Sequence, residues 1–353
     1  MHNGIASQRL DHQRITRPGR GGPEGVVTWL GAIQAQEYAA ARWGLALRMS
    51  RSSTDAEIER ACDDGRILRT HVLRPTWHFV TPADIRWMLD LTAPRVHQAM
   101  SSYTRKLGLD SALMTRAATV FERALGRGPC LTRSELGSEL ARAGIAAKGI
   151  SLALIMIHAE LEGVICSGPR RDKQLTYALL ADRAPLAGTL PRDEALAELT
   201  RRYFASHGPA TIPDFVWWSG LKVVDAKRGL EINKARQEAI DGRTYWTIAT
   251  ARRKPMSGGT VHLLPIYDEY LVAYRDRDAV PHRTSRVGTS TFQHAVVISG
   301  QIAGTWKTIR SAGDVVVDVI LLRRLTRSER SALEEVAARY GDFLGASASL
   351  RIA

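Results

Sequence analysis

The 353-residue sequence contains few cysteines and no long apolar segment. Its three cysteines, Cys62, Cys130 and Cys166, are odd in number and widely spaced, and none belongs to a CxxC motif. This pattern argues against a disulfide framework and against a structural zinc site. No stretch approaches the roughly 18 uninterrupted apolar residues of a membrane-spanning helix, and the N-terminus lacks a basic flank before an apolar run. We therefore expect a soluble, cytoplasmic protein that needs no metal and no cofactor.

Lysine is also scarce, with 8 lysines and 41 arginines among the 49 basic residues. The net charge is +13 and the sequence pI is about 10.0. Arginine favours bidentate contacts with phosphate and stacking on bases. The composition therefore indicates a nucleic-acid partner, although a basic solvated surface or a GC-rich genome that enriches Arg and Ala would give a similar balance.

Two stretches of the sequence share one order of predicted elements, which is a helix, a short helix after a Gly-Pro pair, a longer helix and a hairpin. The first copy comprises helices over 111–125, 131–136 and 148–161 and strands over 164–167 and 174–179. The second comprises helices over 192–206, 211–216 and 223–233 and strands over 236–239 and 244–249. This order is typical of winged-helix units.

The sequence before these copies can be interpreted as a third, degenerate copy. Its predicted elements are helices over 23–30 and 54–64 and strands over 67–72 and 76–80, with Pro75 at the turn or at a sheet edge. After residue 259 the pattern changes to strands over 260–264, 295–299, 301–307 and 315–321, followed by an amphipathic helix over 328–343. The charged segment 274–288 is predicted to be a loop, either solvated or in contact with DNA.

The predicted fold class is therefore α+β, with three tandem winged-helix units around a concave face and a C-terminal β unit that is partly barrel-like. The predicted domains are 1–110, 111–187 and 188–258 for the winged-helix units and 259–353 for the β unit with its C-terminal helix.

The candidate catalytic residues are Gln34 and Gln36, which lie one residue apart in the otherwise apolar stretch WLGAIQAQEY. In extended or turning backbone, residues two apart project to the same side. Two amides on one side can line a cleft and hold a water molecule, or they can lie on the surface. The pattern alone is weak, because a Gln-x-Gln is expected by chance about once in four chains of this composition.

Four blocks of the sequence resemble the AlkZ/YcaQ type of winged-helix DNA glycosylase. They are WLGAIQAQEYAAARWGLALR from Trp29, RPTWHFV from Arg74, LLPIYDEYL from Leu263 and GTWK from Gly304. They occur in the family's order and span nearly the whole chain. In the family the first block carries the catalytic Gln, an apolar residue, and then Gln in the AlkZ branch or Asp in the YcaQ branch. Gln34-Ala35-Gln36 therefore matches the AlkZ branch.

The resemblance implies a monofunctional DNA glycosylase that excises bulky N7-alkylpurines and unhooks interstrand crosslinks. Gln34 and Gln36 would orient a water towards the sugar carbon. Neither can be a general base, because an amide does not accept a proton near neutral pH. The expected partner is double-stranded DNA that carries alkylated purines. We expect the protein to act as a monomer associated with the nucleoid and to have no membrane partner. The alternatives are a non-catalytic winged-helix regulator, which needs no paired amides, and an RNA-binding protein, which only the charge favours.

Several further residues are candidates for the site. Glu37 adjoins the pair but projects to the other side. His78 and Asp268 are possible site neighbours, although His78 is more often structural on a hairpin, and Asp268-Glu269 is more often a turn or cap. Trp217-Trp218 is favoured as core over a base-stacking pair. The candidate phosphate contacts lie on or after hairpins: Arg69, His71, Arg74, Arg252, Arg253 and Lys254.

Overall fold

The computed structural model describes residues 2–50, 52–126, 128–248, 260–277, 293–311 and 313–353. The helices of these segments are α1 (His2–His12), α2 (Pro23–Leu30), α3 (Tyr38–Leu47), α4 (Asp55–Asp63), α5 (Ile85–Lys106), α6 (Ser111–Leu125), α7 (Arg133–Arg142), α8 (Gly149–Leu161), α9 (Leu180–Arg183), α10 (Arg192–Ser206), α11 (Ile212–Ser219), α12 (Val223–Ile232), α13 (Glu269–Val272) and α14 (Arg327–Leu344). In these segments, no helix has the length and apolarity that crossing a membrane requires.

The strands of the same segments are β1 (Ile33–Gln34), β2 (Leu68–Val72), β3 (Arg74–Val80), β4 (Leu131–Thr132), β5 (Ile165–Ser167), β6 (Thr176–Leu179), β7 (Arg236–Ile240), β8 (Arg243–Thr247), β9 (Val261–Leu264), β10 (Ala295–Ile298), β11 (Gln301–Ser311), β12 (Asp314–Leu321) and β13 (Ser347–Ile352). The predicted α+β class is confirmed.

The chain divides into two compact units. The first comprises Met1–Glu59, Ala197–Trp218 and Lys222–Ala353, and the second comprises Arg60–Leu196 and Ser219–Leu221. The predicted four-segment division is based on the sequence repeat and stays a prediction about sequence organisation.

The second unit contains a complete winged-helix order, which is α6, β4, α7, α8 and the β5–β6 hairpin, with strand order β4-β6-β5. Helix α6 begins after Asp110, whose side chain accepts the Leu113 N–H. Its buried residues recur at helical spacing, Met114, Ala117, Phe121 and Leu125, and form one apolar core with residues of α7 and α8. The repeat therefore predicted this unit because its apolar face and its caps are both local in sequence.

The second unit also contains the β2–β3 hairpin and the long helix α5. The hairpin turns at Leu73, which has φ 63°, and Pro75 lies inside β3 and is exposed. The backbone N–H of Leu73 donates to Thr92 Oγ1 of α5 at 3.1 Å. No element was predicted over α5, whose 22 residues include Pro94. A proline inside a helix removes one backbone hydrogen bond, so the sequence signal for this helix is weak.

The first unit contains α11, α12 and the β7–β8 hairpin of the second repeat. An isolated bridge between Ala210 and Trp246 joins the start of this repeat to its hairpin. The predicted order of the elements is confirmed here, and the observed strands are Arg236–Ile240 and Arg243–Thr247. The end of the second predicted strand, at residue 249, lies outside the described residues.

The C-terminal strands of the first unit form one five-stranded, half-barrel sheet in the order β13-β12-β11-β10-β9. Its pairs are antiparallel except β12 with β13, which is parallel because α14 connects those two strands. Helix α14 packs on the sheet through Tyr340 and Phe343, which contact Trp43 of α3 at 4.9 Å and 5.2 Å between ring centroids. Trp43 also donates to Leu263 O at 2.7 Å. This core fixes α3 against β9, and therefore one end of the Gln34–Gln36 segment.

Candidate functional site

The predicted catalytic pair, Gln34 and Gln36, lies between α2 and α3 in the first unit. Gln34 ends the two-residue strand β1 and is buried, with 8% of its surface exposed. Gln36 follows in a bend just before α3 and is partly exposed. Glu37 is exposed and occupies the N-cap position of α3 without a capping hydrogen bond from its side chain. Between the two amides the chain therefore passes from the core towards solvent.

The backbone of Gln34 is held by a carboxylate that is far away in the sequence. The Gln34 N–H donates to Glu269 Oε1 at 2.7 Å, and Trp218 Nε1 donates to Glu269 Oε2 at 2.9 Å. His207 Nε2 lies 3.5 Å from the same Oε2. Glu269, Trp218 and His207 are each 0% exposed. The catalytic candidate is thus attached to a fully buried polar cluster.

His207 is fixed on both sides within this cluster. Its ring stacks on Tyr203 with 4.8 Å between centroids and 8° between planes. Its Nδ1 lies 2.8 Å from Ser206 Oγ, and that hydroxyl donates to Arg202 O at 2.6 Å. Ser206 therefore accepts, so Nδ1 carries the imidazole proton. Burial lowers the pKa of His207, while the nearby negative charge of Glu269 acts in the opposite direction.

Asp268, the predicted site neighbour, caps a helix and forms a buried ion pair. Its Oδ1 accepts the Tyr270 N–H at 2.9 Å and caps α13. Its two oxygens each accept from the Arg48 guanidinium at 2.8 Å. Arg48 also donates to Gly44 O at 2.8 Å and to Gln13 Oε1 at 3.0 Å. Both members of the pair are almost fully enclosed, which corresponds to the capping interpretation of the Asp268-Glu269 block.

His78, the other predicted neighbour, lies on β3 in the second unit. It is 0% exposed, and its Nδ1 donates to Thr76 O at 2.8 Å. Trp77, the adjacent residue, projects to the other side, where its Nε1 donates to Glu160 Oε1 at 3.3 Å. Trp77 and His78 therefore project to opposite sides of β3, and His78 faces the core.

The predicted phosphate contacts Arg69 and His71 lie on β2 and are buried. His71 Nδ1 pairs with the Glu160 carboxylate, and the side chain is 2% exposed. Arg69 is 9% exposed, and its guanidinium carbon lies 4.2 Å from the centre of the Trp77 ring. Contact between either side chain and a phosphate would require this arrangement to open. Arg74, at the start of β3, is partly exposed and remains the most accessible of the three.

Three more predicted phosphate contacts, Arg252, Arg253 and Lys254, lie outside the described residues, as does the 278–288 part of the charged loop. At the described start of that loop, the Asp276 carboxylate pairs with Arg243 of β8.

Trp217 and Trp218 differ in their surroundings. Trp218 is 0% exposed and packs against Tyr203 with 5.0 Å between centroids, so its predicted core position is confirmed. Trp217 is 46% exposed, and its Nε1 donates to Val272 O at 2.9 Å. Only Trp217 therefore offers a partly open aromatic surface.

Sequence reasoning missed a set of possible metal ligands, which are His97 on α5, His158 on α8 and Glu162, the C-cap residue of α8. Their donor atoms lie within 4.8 Å of one another, and His97 Nε2 lies 2.8 Å from Glu162 Oε1. Ligands around a tetrahedral zinc are about 3.3 Å apart, so the set would have to contract to hold one. The spacing of His158 and Glu162 on one helix face was the only available signal, since His97 is distant in sequence.

Burial of histidines predicts a pH dependence of stability. Burial, with the nearby charges of Arg339 and Arg48, lowers the pKa of His262 on β9 to about 4. Between pH 6.5 and that value the unfolded chain binds a proton that the folded chain does not, so stability is complete above pH 6.5 and falls as the pH is lowered. From pH 6.5 to 4.5 we expect a loss of about 2 kcal/mol from His262 alone.

The measurement is urea unfolding of the parent and of His262→Gln across this range. The variant should show a shallower fall in the free energy of unfolding. Equal slopes for the two proteins would show that His262 is not the group responsible. Asp318 and Glu329, whose pKa values are lowered to about 2 from 3.8 and 4.5, add a further loss only at the lower end of this window, where the unfolded chain begins to bind their protons.

The chain is similar to known DNA glycosylases in sequence and in structure. A family model described as DNA glycosylase AlkZ-like matches residues 27–343. The chain is 26% identical over 310 residues to a Streptomyces sahachiroi protein called "Interstrand DNA cross-link repair glycosylase", which covers 80% of this chain and 81% of the relative. The solved structure of Streptomyces sahachiroi DNA glycosylase AlkZ superimposes with a TM-score of 0.82 at 22% identity, over 99% of each chain.

Proposed function

Because the chain belongs to the family of AlkZ-like DNA glycosylases, we propose that it excises bulky N7-alkylpurines from double-stranded DNA by hydrolysis of the N-glycosidic bond. The observation that carries the proposal is the Gln34-Ala35-Gln36 segment, which lies inside the matched residues. The Glu269 carboxylate accepts the backbone N–H of Gln34, and Gln36 is partly exposed.

The chemistry of an N7-alkylated purine needs little from the protein. The alkylated base already carries a positive charge and leaves without protonation, while the sugar becomes a cation that resembles an oxocarbenium ion. Two amides can orient a water towards the sugar carbon, and their carbonyl oxygens can stabilise the developing positive charge. In this account Gln34 and Gln36 are the catalytic residues.

We propose that the protein also acts on interstrand crosslinks. The relative at 26% identity is named for interstrand cross-link repair. A crosslink attached through N7 presents the same charged leaving group, and it cannot be turned into a tight base-flipping pocket because it remains attached to both strands. The same hydrolysis would therefore unhook it.

The test is incubation of the protein with a duplex that contains one N7-methylguanine, followed by alkali. We expect strand breaks at the modified position only after the alkali treatment, because a monofunctional glycosylase leaves an intact abasic site. Binding of the duplex without release of the base would favour the alternative, a non-catalytic winged-helix regulator. Strand cleavage before alkali would show a lyase step that the proposal lacks.

Duplex binding should be strongly dependent on salt and nearly independent of sequence. The chain carries a net charge of +13, and each neutralised phosphate contributes about 0.9 to the slope of log affinity against log salt. For four or more phosphate contacts we expect at least about a 100-fold loss of affinity between 50 and 200 mM salt. Fluorescence anisotropy with two unrelated duplexes measures both properties.

The matched variant replaces Arg252, Arg253 and Lys254 by Gln. Its slope should be shallower by up to about 3, since three proposed phosphate contacts are lost. The control replaces three exposed arginines, Arg324, Arg327 and Arg330, to which we assign no DNA contact. An equal change of slope in both variants would show that only total charge matters and would remove the assignment of the 252–254 segment.

A further inference from the structure

The carboxylate of Glu269 connects the catalytic candidate to the core of the first unit. Its two oxygens have different partners: Oε1 accepts the Gln34 N–H at 2.7 Å, and Oε2 accepts the Trp218 indole N–H at 2.9 Å. Gln34 lies 235 positions before Glu269 in the chain, so the contact is purely tertiary. We propose that Glu269 is a positioning residue for base excision, which orients the Gln34-Ala35-Gln36 segment through the backbone of Gln34. This inference rests on the function proposed above.

A backbone contact at this position has a direct effect on the side chains. Strand β1 contains only Ile33 and Gln34, and after Ala35 the chain bends at Gln36 and Glu37 before α3 begins. The orientation of the Gln34 peptide plane affects the direction in which the Gln34 side chain projects and the direction in which the chain leaves β1 towards Gln36. Catalysis by positioning is sensitive to such a change, because a displacement of about 1 Å can cost on the order of 100-fold in rate.

A carboxylate suits this task better than a neutral acceptor. Both neighbours donate an N–H, and a carboxylate can accept on both oxygens, whereas an amide offers one acceptor and one donor group. Hydrogen bonds to an ionised acceptor are also shorter and stronger than those between neutral groups. Glu269 is 0% exposed, so no water competes for these bonds.

The carboxylate is itself held in place. Trp218 and His207 both pack on the Tyr203 ring, with centroids at 5.0 Å and 4.8 Å. The Glu269 side chain starts at the first residue of α13, whose cap Asp268 is bound to Arg48. The two adjacent acids therefore have different roles, since Asp268 stabilises α13 and Glu269 extends from it to the catalytic segment.

The experiment measures single-turnover excision of N7-methylguanine by Glu269 variants of the whole chain. Every variant also carries Trp218→Phe, which removes the indole N–H, and Trp218→Phe alone is the reference. In this background Glu269→Gln retains an acceptor for the Gln34 N–H, and Glu269→Met removes it at similar volume. We expect the Gln variant to excise within about threefold of the Trp218→Phe reference. The Met variant should lose about 30- to 100-fold in the saturated rate with an unchanged half-saturating protein concentration.

A second comparison does not depend on the Met variant folding. Glu269→Gln alone must point an amide N–H at one of its two N–H neighbours, so its rate should fall. Adding Trp218→Phe removes that conflict, and the rate should rise again. Thermal unfolding is measured for every variant, and rates are taken at a temperature at which each is folded.

The outcomes are distinct. Equal rates for the Gln and Met variants in the Trp218→Phe background, or no recovery in the Glu269→Gln/Trp218→Phe protein, would overturn the positioning role. Changes in melting temperature alone, at an unchanged rate, would show a purely structural carboxylate. If the parent protein itself releases no N7-methylguanine, the proposed function fails before any Glu269 variant is tested.

Discussion

Replacement of Gln34 or Gln36 by Ala should remove most of the excision of N7-alkylguanine. Loss of one preorganised group that positions a water costs about 2–4 kcal/mol in the barrier, which corresponds to roughly a 30- to 1,000-fold fall in rate. Affinity for undamaged duplex should remain nearly unchanged, because the proposed phosphate contacts lie elsewhere. Single-turnover kinetics and anisotropy on the same preparations measure the two quantities.

Two further variants sharpen this prediction. Gln98→Ala removes an exposed amide on α5 and should excise at the parent rate. Gln36→Asp imitates the second position of the YcaQ branch and supplies a true base, so it should retain activity on cationic N7 adducts. If both Ala variants at 34 and 36 excise at the parent rate, the assignment of this pair is wrong.

The largest effect on stability should come from Asp268→Ala. The substitution leaves the guanidinium of Arg48 buried, with 1% of its side chain exposed and without its carboxylate. Breaking such a pair by removing one partner costs about 3–5 kcal/mol, because an uncompensated charge stays in the interior. Urea unfolding should show a correspondingly lower free energy of unfolding, and the cap of α13 is lost as well.

The control removes both charges together. In Arg48→Met/Asp268→Leu no unpaired charge remains, so much of the lost stability should return. A double variant as unstable as Asp268→Ala would mean that the cap and the packing, and not the buried charge, account for the loss. If the Asp268→Ala protein is stable but no longer excises the base, Asp268 takes part in the reaction.

The winged-helix elements could be predicted because their signals are local. Asp110, Thr132 and Thr326 cap α6, α7 and α14, and apolar residues recur at helical spacing after each cap. The predicted bounds 111–125 and 192–206 coincide with those of α6 and α10. Strand β13 could not be recognised, since its burial alternates between exposed and partly buried and its parallel pairing to β12 is tertiary.

Of the candidate site, only the Gln34 and Gln36 pair could be predicted from the sequence. The Gln pair is contiguous and can be recognised as a motif, whereas Glu269, Trp218 and His207 come together only in the fold. A buried acid beside a cap has the same local sequence as a simple turn, so its contact with Gln34 could not be read from spacing. The same limit applies to Arg69 and His71, because their pairing partners lie on other elements.

The pH dependence of the saturated excision rate decides whether two amides act without a general acid or base. If two amides position a water and the cationic base leaves unprotonated, no group that titrates near neutrality takes part in the chemical step. Between pH 6.5 and 8.5, above the window in which protonation of His262 lowers stability, single-turnover release of N7-methylguanine should therefore be constant within about twofold. A tenfold change per pH unit, or a bell-shaped profile, would reveal an essential acid or base and contradict the account.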